Sequence, residues 1–207
     1  MKLVVHNIKG KETAKKITLS KDIFGIEPNE HAIYLDVKQY LAAQRTGTHK
    51  SKERGDVKGS RRKLRKQKGS GAARVGDIKN PLFRGGGRVF GPRPRSYDFK
   101  VNKKVKKLAR KSALSYMFKD KKLIILEDFN FESPKTKFYS DLLANFDQLD
   151  SKTLLVLPKS NKNIFLSSRN IKKAKVILAS ELNTYDVVST NKMMILESSV
   201  KEIEKNL

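Results

Sequence analysis

Residues 45–100, 56 positions in all, hold 18 Lys or Arg against 4 acids, with 10 of the 12 glycines and 10 of the 12 arginines in the chain. About a fifth of these positions are apolar: Val57, Leu64, Val75, Ile78, Leu82, Phe83, Val89, Phe90, Tyr97, Phe99 and two alanines. So little apolar surface cannot offset the entropy lost in fixing the backbone, roughly 1–2 kcal/mol per residue. The stretch must take its order from a polyanion that neutralises it, and any core must be assembled by the flanking sequence.

The flanks are long enough to do so. At 207 residues and 38% hydrophobic content, the chain accommodates one ordinary domain and an appendage. Its net charge of +25 is unevenly spread: residues 1–44 and 120–207 carry +2 each, whereas the 75 residues 45–119 carry +21. Such a field repels itself unless phosphate neutralises it, and binding by counterion release predicts steep salt dependence. A membrane is the competing anionic surface. No apolar run approaches the ~18 residues of a spanning helix, and Met1-Lys2-Leu3-Val4-Val5-His6 lacks the extended apolar stretch of a secretory leader. The expectation is a cytoplasmic protein with no membrane partner. The lack of cysteine rules out disulfides and thiolate metal sites, which suits a reducing compartment.

Residues 3–5 read as a short strand, with a second apolar stretch near Ile17–Leu19. From Asn29 to Gln44 the residues Ile33, Val37, Tyr40 and Leu41 fall at helical spacing, with Asn29 as N-cap and Gly47 just past the end. A second helix begins near Asn102, placing Val105, Leu108, Ala109, Ser112, Ala113, Tyr116 and Met117 on one face. Its other face is cationic and has no acid to form i to i+4 pairs, so a phosphate-facing role is favoured over a merely solvated face. Four continuous apolar runs follow, at residues 123–126, 154–157, 176–178 and 193–196, with helix-like stretches between several of them. Ser133-Pro134 reads as the N-cap and first turn of a helix carrying Phe138, Leu142, Leu143 and Phe146, and Ser199 with Glu202 as a capping box for the last helix. Runs that are continuous rather than alternating suggest strands covered on both faces, hence an α/β fold with a parallel sheet.

An α/β fold makes a nucleotide-dependent enzyme the first rival. The phosphate-loop pattern is absent, and neither Gly69-Ser70-Gly71-Ala72-Ala73-Arg74 nor Gly85-Gly86-Gly87 follows an apolar strand. The simpler role for these glycines is close approach of backbone to a ligand, or a positive φ. His6, His31 and His49 are scattered, so they form neither a zinc set nor a base beside a nucleophile. Glu127-Asp128 follows an apolar run where α/β enzymes place catalysis, although adjacent acids there commonly just start a loop. No catalytic residue, metal site or cofactor is expected.

The positive evidence lies in the basic stretch. Guanidinium matches phosphate bidentately, while Phe83, Phe90, Tyr97 and Phe99 interleave the cations and either stack on unpaired bases or form a small local cluster. Pro81, Pro92 and Pro94 stiffen the chain. A hairpin-like excursion of 56 residues reaches at most roughly 90 Å each way at about 3.3 Å per residue.

The ordered motifs Arg45-Thr46-Gly47-Thr48, Gln67-Lys68-Gly69-Ser70-Gly71 with Arg74, and Arg84-Gly85-Gly86-Gly87 through Phe90-Gly91-Pro92-Arg93-Pro94-Arg95 carry a resemblance. Asn102-Lys103-Lys104, Lys111-Ser112-Ala113-Leu114-Ser115, Pro134-Lys135-Thr136-Lys137 and Arg169-Asn170 extend it. The chain resembles the bacterial large-subunit ribosomal protein four family, the universal L-four family. That resemblance implies a Rossmann-like open parallel sheet with helices on both faces, formed by residues 1–44 and 101–207. A long extended basic loop, residues 45–100, would be inserted between two helices, penetrate large-subunit rRNA and line the polypeptide exit tunnel, supporting subunit assembly.

The rRNA-binding residues it implies begin with Arg45, Thr46, Lys50 and Arg54, followed by Arg61, Arg62, Lys63, Arg65 and Lys66. Gln67, Lys68, Gly69, Gly71 and Arg74 come next, and with Ser70 the first three form a tunnel-facing tip. Arg84, Gly85, Gly86, Gly87, Arg88, Arg93 and Arg95 complete the loop, and Lys103, Lys104, Lys107, Arg110 and Lys111 add the helix. Implied partners are large-subunit rRNA, neighbouring ribosomal proteins including another that lines the tunnel, and the passing nascent chain, with no obligate homo-oligomer. The chain departs from the family at Leu64-Arg65, where members often carry Pro-Trp, and at Ser70 and Ala72, where they carry Thr and Arg. A free-standing RNA-binding regulator, including one acting on its own messenger RNA as some members do, is the nearest alternative.

Overall fold

A computed structural model describes all 207 residues. The chain divides into two compact units, Met1–Leu41 with Lys100–Leu207, and Ala42–Phe99. The first is a mixed α/β unit. Strands β1 (Lys2–His6) and β2 (Glu12–Thr18) pair antiparallel, and β3 (Leu123–Leu126), β4 (Thr153–Leu157), β5 (Ala174–Leu178) and β6 (Lys192–Leu196) join them in one six-stranded sheet. Its order is β2-β1-β3-β6-β4-β5, and every pair beyond β1–β2 is parallel. The helices are α1 (Lys21–Phe24), α2 (Glu30–Ala43), α3 (Lys103–Lys119), α4 (Thr136–Asn145), α5 (Lys162–Ser168), α6 (Thr184–Ser189) and α7 (Glu197–Asn206).

Continuous apolar strands make sense in this sheet because both faces are covered. Successive side chains point to opposite faces, so Leu154 and Val156 of β4 join a core with Leu114 of α3, Val187 of α6 and Val200 and Ile203 of α7. Leu155 and Leu157 join a second core with Tyr139, Leu142 and Leu143 of α4 and Ile164 of α5. β6 divides likewise, Met193 and Ile195 to the first core, Met194 and Leu196 to the second. At about 1.5–3 kcal/mol for each fully buried large apolar side chain, these central strands dominate the stability of the unit.

Several local expectations are corrected. The helix after Pro134 starts at Thr136, not at Ser133-Pro134, because the Lys135 amide donates to the Ser133 carbonyl at 3.0 Å and this tight turn holds the chain out of helical register. Ser199 and Glu202 form no capping box. α7 starts directly where β6 ends, so Ser199 lies inside its first turn, buried, with its hydroxyl donating to the Val156 carbonyl at 3.1 Å. The cap comes from Asp128, whose carboxylate accepts from the Ser198 amide at 3.3 Å and hydroxyl at 2.8 Å. Asn29 does cap α2, its side-chain oxygen accepting from the Ala32 amide at 2.9 Å. The deepest residues of that helix are nevertheless Ala32 and Asp36, with Leu41 exposed, since Asp36 turns inward to accept from the Thr184 hydroxyl. β2 runs upstream of the apolar stretch that suggests it, held by backbone pairing and by the Thr13 hydroxyl on the Val5 carbonyl at 2.7 Å. No helix is long and apolar enough to cross a membrane.

Candidate nucleic-acid interface

Unit Ala42–Phe99 is built without regular secondary structure between α2 and α3. Two limbs of the chain are tied by isolated backbone hydrogen bonds. The Arg95 amide donates to Gly47 at 3.2 Å, Ser51 to Pro92 at 3.0 Å, Arg88 to Lys52 at 2.9 Å and Leu64 to Gly76 at 3.0 Å. Glycine is required where the limbs meet most closely. Gly47 has φ +61° and is buried, and a Cβ there would collide with the Arg95 carbonyl; a Cβ on Gly87 would collide with the Arg54 backbone. The packing role of Gly86 and Gly87 is thus internal, against Asn80 and Arg54 respectively, while Gly69 and Gly71 have positive φ and open space around them.

No apolar residue between Ala32 and Ala109 is buried. Order inside the unit comes instead from a few ion pairs. Arg54 meets the buried Asp77 at 3.1 Å, Lys50 meets Asp56 at 2.8 Å, and Arg93 meets Glu53 at 2.6 Å. The Lys50–Asp56 hydrogen bond raises the lysine above, and lowers the carboxyl below, its ordinary pKa. Three of the four acids are consumed in this way. Arg61, Arg62, Lys63, Arg65, Lys66, Lys68, Arg74, Arg84 and Arg88 make no ion pair and are exposed. Arg62, Lys63, Arg65 and Lys66 line a cleft of about 580 Å³ with Leu64 and Ile78 in its wall. Gln67 at the expected tip accepts from the Lys63 ammonium, and Lys68 and Ser70 stand exposed beside it.

The aromatic residues split between the two roles open to them. Tyr97 belongs to a local cluster: the Arg45 and Arg95 guanidiniums lie 3.9 and 4.6 Å from its ring centre, and its hydroxyl is 3.3 Å from His49 Nε2. A hydrogen bond from Arg95, reinforced by both positive charges, lowers the Tyr97 phenol below its ordinary pKa. Thr46 is exposed beside that cluster. Phe90 is the opposite case, 99% exposed on the rim of a second cleft with Arg88, Pro92 and Lys52, and Leu82 is 89% exposed. A bare aromatic side chain flanked by free cations has the chemistry to stack on a base while phosphates meet the charges.

Within the α/β unit, α3 docks Ala109, Ser112, Ala113, Leu114, Ser115 and Met117 on the core. Leu108, expected on that face, is 40% exposed, because the buried arc is centred further toward the helix's C-terminal half. Ser115 donates to the Ile23 carbonyl at 3.0 Å and Ser112 accepts from the Asn29 amide at 3.1 Å, which fixes the helix against α1 and the start of α2. Lys103, Lys104 and Lys107 are exposed, while Arg110 and Lys111 are half-buried, and none of the five forms an ion pair. Lys106 is instead engaged, donating to Gln39 at 3.0 Å. Asp128, near the sheet's C-terminal edge, has structural work at the start of α7.

The ribosomal protein L4/L1 family profile matches residues 17–206. The large ribosomal subunit protein uL4 of Parabacteroides distasonis is 59% identical over 206 residues, covering 100% of this chain and 99% of that protein. The uL4 of Phocaeicola vulgatus is 58% identical over 207 residues and covers 100% of both chains. The uL4 of Flavobacterium johnsoniae is 56% identical over 207 residues, with 100% and 99% covered. The likeness runs through both the sheet and the basic unit, and the chain belongs to the ribosomal protein L4/L1 family.

Proposed function

We propose that this chain is a structural, non-catalytic constituent of the bacterial large ribosomal subunit, in which residues 45–100 act as an extended basic loop threaded through large-subunit rRNA. The α/β unit, Rossmann-like in its order of parallel strands and helices, anchors the loop between α2 and α3. Residues Gln67–Ser70 reach the wall of the polypeptide exit tunnel, near the nascent chain and a second tunnel-lining protein. The observation that carries this reading is a 58-residue unit with no buried apolar side chain but a surface of unpaired arginines and lysines. Such a surface has no internal reason to exist, and a phosphate backbone supplies the missing counter-charge.

Replacing Arg62, Arg65 and Arg84 by Ala tests it. Each phosphate that the protein no longer neutralises lowers the slope of log affinity against log salt by about 0.7–0.9, so the triple variant should bind a large-subunit rRNA transcript with a slope reduced by about 2. Native protein should sediment with large subunits in cell extract. Recovery mainly as free protein, or an unchanged slope, would overturn the reading.

A further inference from the structure

The near-neutral charge of the α/β unit conceals a segregation. Residues 20–37 and 176–191 together hold six acids and one lysine, in a chain of net charge +25. The fold brings these two segments side by side. Asp36 of α2 accepts from the Thr184 hydroxyl at the start of α6, and Tyr40 stacks on Tyr185 with ring centres 4.9 Å apart. Asp36 and Asp186 are engaged internally, the first by Thr184 and the second by Lys175 and Asn183. Asp22, Glu27 and Glu30 are instead exposed and make no ion pair. This side of the molecule repels a phosphate chain and attracts a cation.

Where α2, α3 and α6 meet, the surface opens into a cavity of about 270 Å³. Its apolar walls are Ile33 of α2, Ala113 and Met117 of α3, and Val187 and Val188 of α6. Val188 is 51% exposed, an uncovered aliphatic group at the edge of the slot. Two exposed carboxylates, Glu30 and Asp120, also line it. Lys122 holds Asp120 at 2.8 Å, so Glu30 carries the free charge. Tyr116 positions that charge, its phenol donating to Glu30 Oε1 at 2.8 Å and leaving Oε2 available. The bond to Glu30 raises the phenol above its ordinary pKa, which keeps the donor protonated at neutral pH.

An apolar slot beside a positioned, unpaired carboxylate suits a cation at the end of an aliphatic stem, because the walls cover methylenes that a solvated charge leaves bare. Arginine suits it better than a lysine ammonium, since guanidinium is planar, more weakly hydrated and matched to a carboxylate. The cavity is too small for a helix about 10 Å across, so the guest side chain must come from an extended segment.

We propose that the cavity between α2, α3 and α6 is a docking site for a basic, extended segment of a partner protein, which inserts one arginine with its methylenes against Val188 and Ile33 and its guanidinium on Glu30. The site is distinct from the cationic surfaces of the loop and of α3. It rests on the proposed place in the large subunit only for where such a partner is met.

The chemistry is tested on the full-length free chain by NMR titration with n-butylguanidinium, and with n-butylurea as an uncharged probe of like shape. The cation should shift the amides of Ile33, Met117 and Val188 saturably and bind about fivefold more tightly than the urea, the upper range for a partly exposed ion pair. Glu30→Gln keeps an acceptor for Tyr116 and should abolish that preference, while Val188→Ser should weaken both probes. Absence of saturable shifts, equal binding of the two probes by the wild-type chain, or a preference that survives Glu30→Gln would overturn the proposal. The partner is tested in purified large subunits. Because the chain has no cysteine, Val188→Cys supplies a unique point for attaching a photo-crosslinker. The adduct should be an arginine-containing segment of another protein, and its yield should fall severalfold when Glu30→Gln is added. An adduct to rRNA alone, to a second copy of this chain alone, or to nothing would also overturn it. Failure of the chain to enter large subunits would refute the proposed function instead, and the titration on the free chain still decides for or against the cavity.

Discussion

Tyr139 sits fully buried in the second core, packed with Leu142, Leu143 and Ile164, and its hydroxyl has no hydrogen-bond partner. Burial pushes its phenol well above the ordinary range. An unfolded tyrosine ionises near pH 10, so above that pH the unfolded chain releases a proton that the native chain retains, and stability falls as pH rises. Tyr139→Phe removes both the stranded hydroxyl and this proton linkage. The variant should gain about 1 kcal/mol in urea denaturation at pH 8, the low end of the cost of an unsatisfied buried group, and the gain should widen between pH 10 and 11. A fall in stability would show that the hydroxyl has a partner, and a gain that stays constant with pH would show that burial leaves its pKa unchanged. Arg93 makes a second point at this scale. Sequence marks it as a phosphate ligand like its neighbours, but Glu53, 40 positions away, holds it at 2.6 Å. Arg93→Ala should therefore change the salt slope for rRNA less than Arg84→Ala does, because Glu53 already neutralises part of the Arg93 charge.

Helix α7 shows what separates legible elements from illegible ones. The strands at residues 123–126, 154–157 and 193–196 are readable because burial on both faces demands an unbroken apolar run, and few other structures do. The capping of α7 is not readable, since its first turn is satisfied by Asp128 from a loop 70 residues earlier, while Ser199 donates to the Val156 carbonyl instead. Periodicity finds α2 and α3, and places Ser112 correctly on the buried face, yet it misplaces the buried arcs at Leu41 and Leu108, because polar Asp36 and Ser115 take core positions through hydrogen bonds to Thr184 and Ile23. The basic unit has no period at all, so its cations are identifiable as a set while its internal pairs, Arg54–Asp77 among them, are not. Asp128→Ala should cost about 1 kcal/mol, the typical value for removing an N-cap, whereas Glu202→Ala should stay within about 0.5 kcal/mol as an ordinary surface change. Chemical denaturation of the two variants decides whether the cap lies where the structure puts it.

At the scale of the molecule, two ways of making order share one chain. In the α/β unit, two apolar cores flank a six-stranded sheet. In unit Ala42–Phe99 the ordering interactions are three ion pairs with partly exposed members, one aromatic–guanidinium cluster and scattered backbone hydrogen bonds. Exposed ion pairs contribute roughly 0–1 kcal/mol each, far short of the roughly 1–2 kcal/mol per residue needed to fix the backbone. Self-repulsion among the unpaired cations adds to the deficit. The basic unit should therefore open locally at almost no free-energy cost in the absence of RNA while the sheet remains closed. Amide hydrogen exchange on the full-length free protein should show the donors Ser51, Leu64, Gly87, Arg88 and Arg95 exchanging nearly as fast as in an unfolded peptide, with residues of β3, β4 and β6 protected to the global stability. Addition of the large-subunit rRNA transcript should slow exchange across residues 45–100, and raising salt should release that protection in step with the fall in affinity. Protection of those five amides in the free protein would mean that the unit holds its own shape, and the polyanion would then be a ligand for a preformed surface rather than the source of its order.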